Sequence, residues 1–573
     1  MAGSMTRLRA VLEKTELFSR DQITELLAAK QRSDLAITEL AVAEGYTTEE
    51  PLLQALSSAL KIPFVRPAQQ EIAPAVLELL PTKVVFQYNV IPVSAENGVL
   101  RVACSDPFDT DLADALRLAS GMKIRLALST TAEIAEAAKR LYGVGADVVD
   151  RMMLDGRGAA LAEATVIKDD LGEEHEEASI VKFVNQIISE AQSEGATDIH
   201  VEPMENELRI RYRLDGLLHQ VPVPAQLHRF QAAIISRIKV MANMDIAEKR
   251  LPQDGSINLR FKGEDIDIRV STMPTVYGES VSLRLLTRST GLLGLGQLGM
   301  IEQDQKIVDR FIHRPNGIIL VTGPTGSGKS TSLYAYLHTI NSIEKRIITI
   351  EEPIEYEMGG INQIAVRPEI GLTFAMGLRH ILRQDPDVIM VGEIRDFETA
   401  EIAIRASLTG HLVFSTLHTN DAAGAITRLL DMGVEPYLVA SSVEGIIAQR
   451  LVRTLCRNCR HAREYDKMFL ESVAFPLARL DEGVIYASQG CEKCRTTGFR
   501  GRTGVYEILQ ITDRIRPMIV AREPANAIKR EALRHGMHTL REDGWSKVLA
   551  GSTTIEEVLR VSEEDEIEPV PTG

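Results

Sequence analysis

Residues 318–331 read Ile-Ile-Leu-Val-Thr-Gly-Pro-Thr-Gly-Ser-Gly-Lys-Ser-Thr. The first four are a short buried strand by composition. Leu333, Tyr334 and Leu337 then recur at helical spacing. Between strand and helix lies GxxxxGK[ST], so the glycines fall where a backbone must come close to a phosphate. Gly323, Pro324, Thr325, Gly326, Ser327, Gly328, Lys329, Ser330 and Thr331 are therefore the predicted phosphate-binding residues. In such a loop the amides turn inward, Lys329 reaches the terminal phosphates and the Ser330 hydroxyl is placed to ligate Mg²⁺.

Working outward, helices alternate with apolar runs: GIILVTG, RIITIEE, DVIMVGE and HLVFSTL. Runs of that kind belong to a sheet covered on both faces, which predicts an α/β core. A phosphate loop needs acids at the ends of neighbouring strands. Glu393 follows DVIMVG, and Glu351 and Glu352 follow IITI. Glu393 is placed to polarise water or act through a metal, whereas Asp396 can simply pair with Arg395. His411 precedes the HLVFSTL strand and His418 follows it. His418 is the better placed, because α/β sheets bind ligands at the carboxyl ends of their strands.

The chain has five cysteines, and four of them form Cys456-x₂-Cys459 and Cys491-x₂-Cys494. Two such turns can offer four thiolates to one tetrahedral Zn²⁺, leaving no position for water and hence a structural site. Cys104 reads as an apolar strand residue.

The 573 residues are 45% hydrophobic and 25% charged, which is ordinary for a globular multidomain protein. A net charge of -16 argues against a nucleic-acid coat, and we expect no nucleic-acid partner. No apolar run approaches a membrane span and no export signal is evident, so the expected location is cytoplasmic. Along the chain we expect a helical module over 1–70, containing a weak helix-turn-helix repeat, and an α/β domain over 71–145. The latter carries a hairpin around Glu96-Asn97-Gly98. An acidic flexible linker spans 146–178, with Asp169, Asp170, Glu173 and Glu174 among its acids. An α+β domain follows over 179–290, then a glycine-rich hinge over 291–304. The α/β core carrying the phosphate loop covers 305–450, the cysteine module 451–510, and a helical region with an acidic tail 511–573.

Four blocks taken together, GPTGSGKST, ITIEEPIEY, RQDPDVIMVGEIRD and TGHLVFSTLHTN, resemble the Walker A, Asp-box, Walker B and His-box motifs of the secretion-superfamily ATPases. AEKRLPQDG, AGAITRLLDMG and AQRLVRTLC resemble the GspE family of type II secretion ATPases, close to the pilus-assembly ATPases. The resemblance implies a RecA-like ATP hydrolase core, preceded by a PAS-like α+β domain and followed by a tetracysteine zinc insert. ATP, Mg²⁺ and Zn²⁺ are the implied ligands. It implies a homohexamer on the cytoplasmic face of the inner membrane that drives pseudopilus assembly and export of folded proteins. The N-terminal modules would dock a GspL-family bitopic membrane protein, and the cysteine region a GspF-family platform protein.

At matching positions Glu393 takes the role of catalytic glutamate. Arg269 and Arg284 are implied to reach the nucleotide when domains close, with Arg379, Arg383 and Arg395 as weaker members of that cluster. The Asp box departs from the family, with Glu352 where aspartate is usual. Some relatives bind cyclic di-GMP through RLG motifs. Here the motifs read Arg7-Leu8-Arg9 and Ala36-Ile37-Thr38, which argues against that ligand. A type IV pilus assembly ATPase would differ in partner rather than chemistry. A nucleic-acid translocase on a RecA-like core would need a basic channel.

Overall fold

The computed structural model describes residues 2–33, 35–146, 148–149, 152–153, 171–261, 264–287 and 293–562. They fall into two compact units, residues 1–286 and 287–573.

The first unit opens with helices Ala2–Lys14, Arg20–Lys30, Ile37–Ala43 and Glu49–Leu60. Ser19 caps the second, its hydroxyl accepting from the Gln22 N–H while the Gln22 side chain accepts from the Ser19 N–H. Strands β1 (Ile91–Glu96), β2 (Val99–Cys104) and β3 (Lys123–Leu128) follow. The β1–β2 turn is Asn97-Gly98, both in the left-handed region, as a two-residue hairpin requires. Leu12, Leu26 and Leu53 of the helices share one core with Leu100, Val102 and Leu128 of the sheet. Segments 1–70 and 71–145 therefore do not bury their apolar faces separately, because each short helix offers only one stripe.

The expected linker needs correction at both ends. Val144, Val148, Val149 and Met152 pack with Phe183 in the next core, a helical-spaced apolar stripe hidden in a Gly/Ala-rich stretch. Leu171–Ser193 is one helix, so 171–178 belong to it although they carry four of the six acids. Asp169 and Asp170 lie outside the described residues.

The rest of this unit is a six-stranded sheet ordered β6-β5-β4-β9-β8-β7. Its strands are β4 (Asp198–Pro203), β5 (Leu208–Leu214), β6 (Leu217–Val221), β7 (Gln253–Phe261), β8 (Glu264–Thr275) and β9 (Gly278–Thr287). Strand β6 is additional to the strands expected from sequence. Asp215-Gly216, both left-handed, form the hairpin turn that announces it. Ile266, Ile268 and Val270 face the core, and the intervening Asp267 and Arg269 take the opposite face.

The second unit is built on a seven-stranded sheet ordered β12-β11-β13-β14-β10-β15-β18. In chain order these are β10 (Gly317–Thr322), β11 (Ile347–Glu351), β12 (Asn362–Ala365), β13 (Val388–Val391), β14 (Leu412–Leu417), β15 (Val443–Leu455) and β18 (Phe499–Gln510). Six strands run parallel and only β18 is antiparallel. All six residues of β10 are buried. Ile318 and Leu320 face one apolar cluster, and Ile319 and Val321 face the other. The same division holds for Ile389 and Val391 against Val388 and Met390 of β13. Two helical layers thus sandwich the sheet, which is why its strands read as continuous apolar runs rather than alternating ones.

A second correction concerns the core's end. The 450/451 boundary falls inside β15, which pairs with β10 on one side and β18 on the other. The cysteine module, with the short strands β16 (His461–Ala462) and β17 (Tyr486–Ala487), is an excursion between two neighbouring strands. Apolar and polar residues mix along Gln449–Thr454, so the strand's extent is not obvious from sequence. Helices Leu540–Leu549 and Ile555–Val561 then pack back on the module, with Trp545 tilted against Phe475 at a centroid distance of 5.2 Å. Of the expected hinge, 291–292 lie outside the described residues, and Leu295–Gln297 is a short 3-10 turn. The tail from 563 also lies outside them. No described helix is long and apolar enough to cross a membrane.

Candidate active site

Strand order brings the site together. Strands β11, β13, β14 and β10 are successive neighbours, and their carboxyl ends carry Glu352, Glu393, His418 and the phosphate loop. Residues scattered between positions 323 and 418 are thereby juxtaposed at one edge of a parallel sheet.

The phosphate loop joins β10 to helix Lys329–Ile340, with Gly328 at φ 90° as the helix's N-cap residue. Ser330 and Thr331 are exposed at the first turn. The Lys329 ammonium donates to the carbonyls of Gly323, at 2.7 Å, and Pro324, at 3.1 Å. Burial pulls its pKa down to about 8, while the nearby Glu393 carboxylate pushes it back up and Arg450 opposes the charge. The loop is anchored from behind. Thr322 Oγ1 lies 2.6 Å from Thr419 Oγ1 and accepts from the Thr419 N–H at 2.9 Å, tying the ends of β10 and β14.

Both oxygens of Glu393 are engaged. Arg395 pairs with Oε1, and His418 Nε2 lies 3.3 Å from Oε2. The same guanidinium reaches Glu352 Oε2 at 3.1 Å, so it bridges the two acids. Glu393 raises the pKa of Arg395 chiefly by that hydrogen bond. Asp396 is not its partner. It caps helix Phe397–Leu408, accepting from Thr399 N–H at 2.8 Å.

The two acids at the end of β11, Glu351 in the strand and Glu352 just beyond it, have separate fates. Glu351 is buried and accepts from Tyr334 O–H, from Thr349 Oγ1 at 2.6 Å and from Gln363 Nε2 at 3.1 Å. It fixes the phosphate-loop helix to the strand. Glu352 alone faces the site. His411 stands at the other end of β14, its Nδ1 2.8 Å from the Ala406 carbonyl. Arg379 pairs with Glu398, and Arg383 Nη2 lies 2.6 Å from His380 Nδ1.

Arg269 and Arg284 lie in the first unit, on adjacent strands and on the sheet face opposite its core. The Arg284 Nε donates to Asp198 Oδ1 at 3.0 Å, across the β4–β9 pair, yet over half of the Arg284 side chain stays exposed. At the chain's start, Arg9 donates to Thr24 Oγ1 at 2.9 Å, and Ile37 and Thr38 are buried in the helical core.

The four cysteine sulfurs Cys456, Cys459, Cys491 and Cys494 lie within 4.8 Å of one another. Neighbouring Sγ pairs are 3.6, 3.7 and 3.8 Å apart. A disulfide needs about 2.05 Å. A tetrahedron of Zn–S bonds of about 2.3 Å has edges of about 3.8 Å, which is the spacing found. Backbone N–H groups of Cys491 and Gly498 point at the Cys494 sulfur, at 3.1 and 3.2 Å. The donor set fits Zn²⁺.

Sequence reasoning missed Gln449, Tyr334 and Thr419. Gln449 and Thr419 sit inside quoted motifs, but nothing in a single sequence tells a polar residue that braces a loop from one facing solvent.

The type II/IV secretion system protein family matches residues 173–560, and the MshEN domain family matches 60–147. The type II secretion system protein E of Xanthomonas campestris pv. campestris is 42% identical over 97% of this chain and 98% of its own length. The type II secretion system ATPase E of Vibrio cholerae is 49% identical over 75% of this chain and 83% of its own. The type IV pilus assembly ATPase PilB of Myxococcus xanthus is 39% identical over 96% and 98%. With a phosphate loop, paired acids and a strand-end histidine on one sheet edge, the chain belongs to the type II/IV secretion system protein family, and within it to the ATPases of type II secretion.

Proposed function

We propose that this chain is the hexameric motor of type II secretion, coupling ATP hydrolysis to pseudopilus assembly and export of folded proteins. The observation that carries the catalytic part is the convergence of Lys329, Glu393, His418 and Glu352 at the carboxyl ends of four neighbouring parallel strands.

ATP phosphates are held by the backbone N–H groups of the loop over 323–331, Pro324 excepted, and by Lys329. Ser330 and the acids would hold Mg²⁺, which would supply neutralisation of phosphate charge. Glu393 holds and takes a proton from the attacking water once Arg395 yields its oxygen. His418 keeps Glu393 aligned, and Glu352 shares its cation. Arg269 and Arg284 neutralise charge on the transferring phosphoryl group when the domains meet. Cys456, Cys459, Cys491 and Cys494 would hold Zn²⁺, which would keep the excursion between β15 and β18 in shape. The N-terminal helices and three-stranded sheet serve a GspL-family membrane protein, and the cysteine region a GspF-family platform protein, placing the motor on the cytoplasmic face of the inner membrane.

The full-length chain should hydrolyse ATP, and Glu393→Gln should bind but not turn over. Equal turnover in both would remove the assignment. The second reading, type IV pilus assembly, is favoured by PilB matching over nearly the whole chain. Capture of the full chain by a bitopic type II partner, but not by a pilus platform protein, supports the first. The converse supports the second.

A further inference from the structure

Gln449 lies on β15, next to β10, and is 1% exposed. Its Nε2 donates to the Ser327 carbonyl at 2.8 Å, and its Oε1 accepts from Ser332 Oγ at 2.8 Å. One amide therefore joins the middle of the phosphate loop to the first turn of the helix behind it. The two contacts need opposite ends of the group, so the amide has one fitting orientation. Ser327 and Ser332 are themselves 3% and 1% exposed, so no water replaces Gln449 at either contact without opening the core.

The loop glycines are shaped around this residue. A Cβ on Gly323, at φ 148°, would lie 2.6 Å from the Gln449 carbonyl. A Cβ on Gly328, at φ 90°, would lie 3.1 Å from Gln449 Nε2. Gly323 is thus required partly by closeness to the β15 backbone, and Gly328 sits close against the Gln449 amide, in addition to any closeness to a phosphate.

In a trans peptide the C=O and N–H point in opposite directions. Holding the Ser327 carbonyl inward on Gln449 turns the Gly328 N–H outward, to the side where the loop meets a phosphate. We propose that Gln449 is a positioning residue for nucleotide binding, acting through the Ser327–Gly328 peptide to hold a phosphate-facing amide ready before ATP arrives. The inference rests on the phosphate-loop reading above.

A preset amide strengthens ground-state and transition-state phosphate binding alike. Its loss therefore raises KM and leaves kcat at saturation nearly unchanged. Gln449→Leu in the full-length chain removes both contacts at similar volume. We expect the Kd for ADP and the KM for ATP to rise about tenfold or more, while kcat stays within about threefold. Ser332→Ala removes only the helix-side contact and should move KM by less than about threefold.

If Gln449→Leu does not fold, Gln449→Met gives the same reading, because it also removes both contacts at similar volume. An unchanged Kd in the folded variant, or a fall in kcat at constant KM, overturns the inference. Lys329→Ala separates it from the reading beneath. If Lys329→Ala loses ADP and Gln449→Leu keeps it, only the role of Gln449 fails. If Lys329→Ala also keeps wild-type affinity, the phosphate-loop reading itself fails.

Discussion

Glu393 Oε2 stands 3.3 Å from His418 Nε2, across the neighbouring strands β13 and β14. The other Glu393 oxygen is held by Arg395. A carboxylate paired twice is well oriented but poorly available as a base, so water can reach it only if one partner moves. Glu393→Gln keeps the shape and removes the base. Turnover should fall about 10²- to 10⁴-fold with ADP affinity within about twofold of wild type. Single-turnover hydrolysis alongside equilibrium binding checks both halves. A loss of affinity equal to the loss of rate would make Glu393 a ground-state binding residue.

Arg395 bridges Glu393 and Glu352, and this tests whether the longer side chain serves in the Asp box. Glu352→Asp shortens the reach by one methylene and should break the 3.1 Å contact while keeping the charge. If Glu352 works by reach, Glu352→Asp and Glu352→Gln should both lower kcat, by roughly tenfold or more for the neutral variant. If aspartate restores or exceeds wild-type turnover, charge alone matters there and the departure from the family pattern is neutral.

The site was largely legible in sequence, and the reason is topological. Phosphate loops, acidic strand ends and CxxC pairs are local, and each carries its chemistry within a few residues. Their convergence follows from parallel strands having all their carboxyl ends at one edge. What sequence could not distinguish was which of two adjacent acids faces the site. Glu351 and Glu352 look alike in a string, yet strand alternation buries one against Tyr334 and turns the other toward Arg395. It also could not foresee that β15 continues past residue 450, because its pairing with β18 spans the whole cysteine module. The hairpin strand Leu217–Val221 is announced in the sequence by Asp215-Gly216 alone, since its own short run mixes apolar and polar residues. The buried stripe of Val144, Val148, Val149 and Met152 was masked by its glycine- and acid-rich surroundings.

Lys329 gives a pH prediction. Its pKa stands at about 8 rather than 10.5, because burial disfavours the ammonium. A bound phosphate would hold the proton on. Above pH 8 the free protein must therefore take up a proton to bind, and affinity should fall as pH rises through 8, by up to about tenfold per unit. Calorimetry of ADP binding at pH 9 in buffers of different ionisation enthalpy should show proton uptake, and Lys329→Arg should abolish it. The sign for folding is separate. Between pH 8 and 10.5 the unfolded chain holds more protons at this position than the folded one, so its contribution to stability rises with pH across that window.

The cysteine cluster makes the last prediction. The Sγ spacings match a tetrahedral Zn²⁺ site, and the module they close hangs between β15, which borders the phosphate-loop strand, and β18 at the sheet's edge. Cys456 follows directly on Leu455, whose partner is Phe499, so metal loss frees the far end of that ladder first. Cys456→Ser with Cys491→Ser should reduce bound zinc from about one per chain to near none, and should expose residues 456–498 to proteolysis. The loss should not spread evenly. Gln449 pairs with Tyr506 deeper in the sheet, so ADP affinity should survive within a few-fold in the zinc-free protein, provided β15 stays paired there. Metal analysis, limited proteolysis and ADP binding on one preparation decide it. Full affinity loss on zinc removal would mean that the module and the phosphate loop unfold as one cooperative unit. Wild-type protein prepared in reducing buffer without zinc, yet equally resistant to protease, would mean that the thiols need no metal to hold the fold.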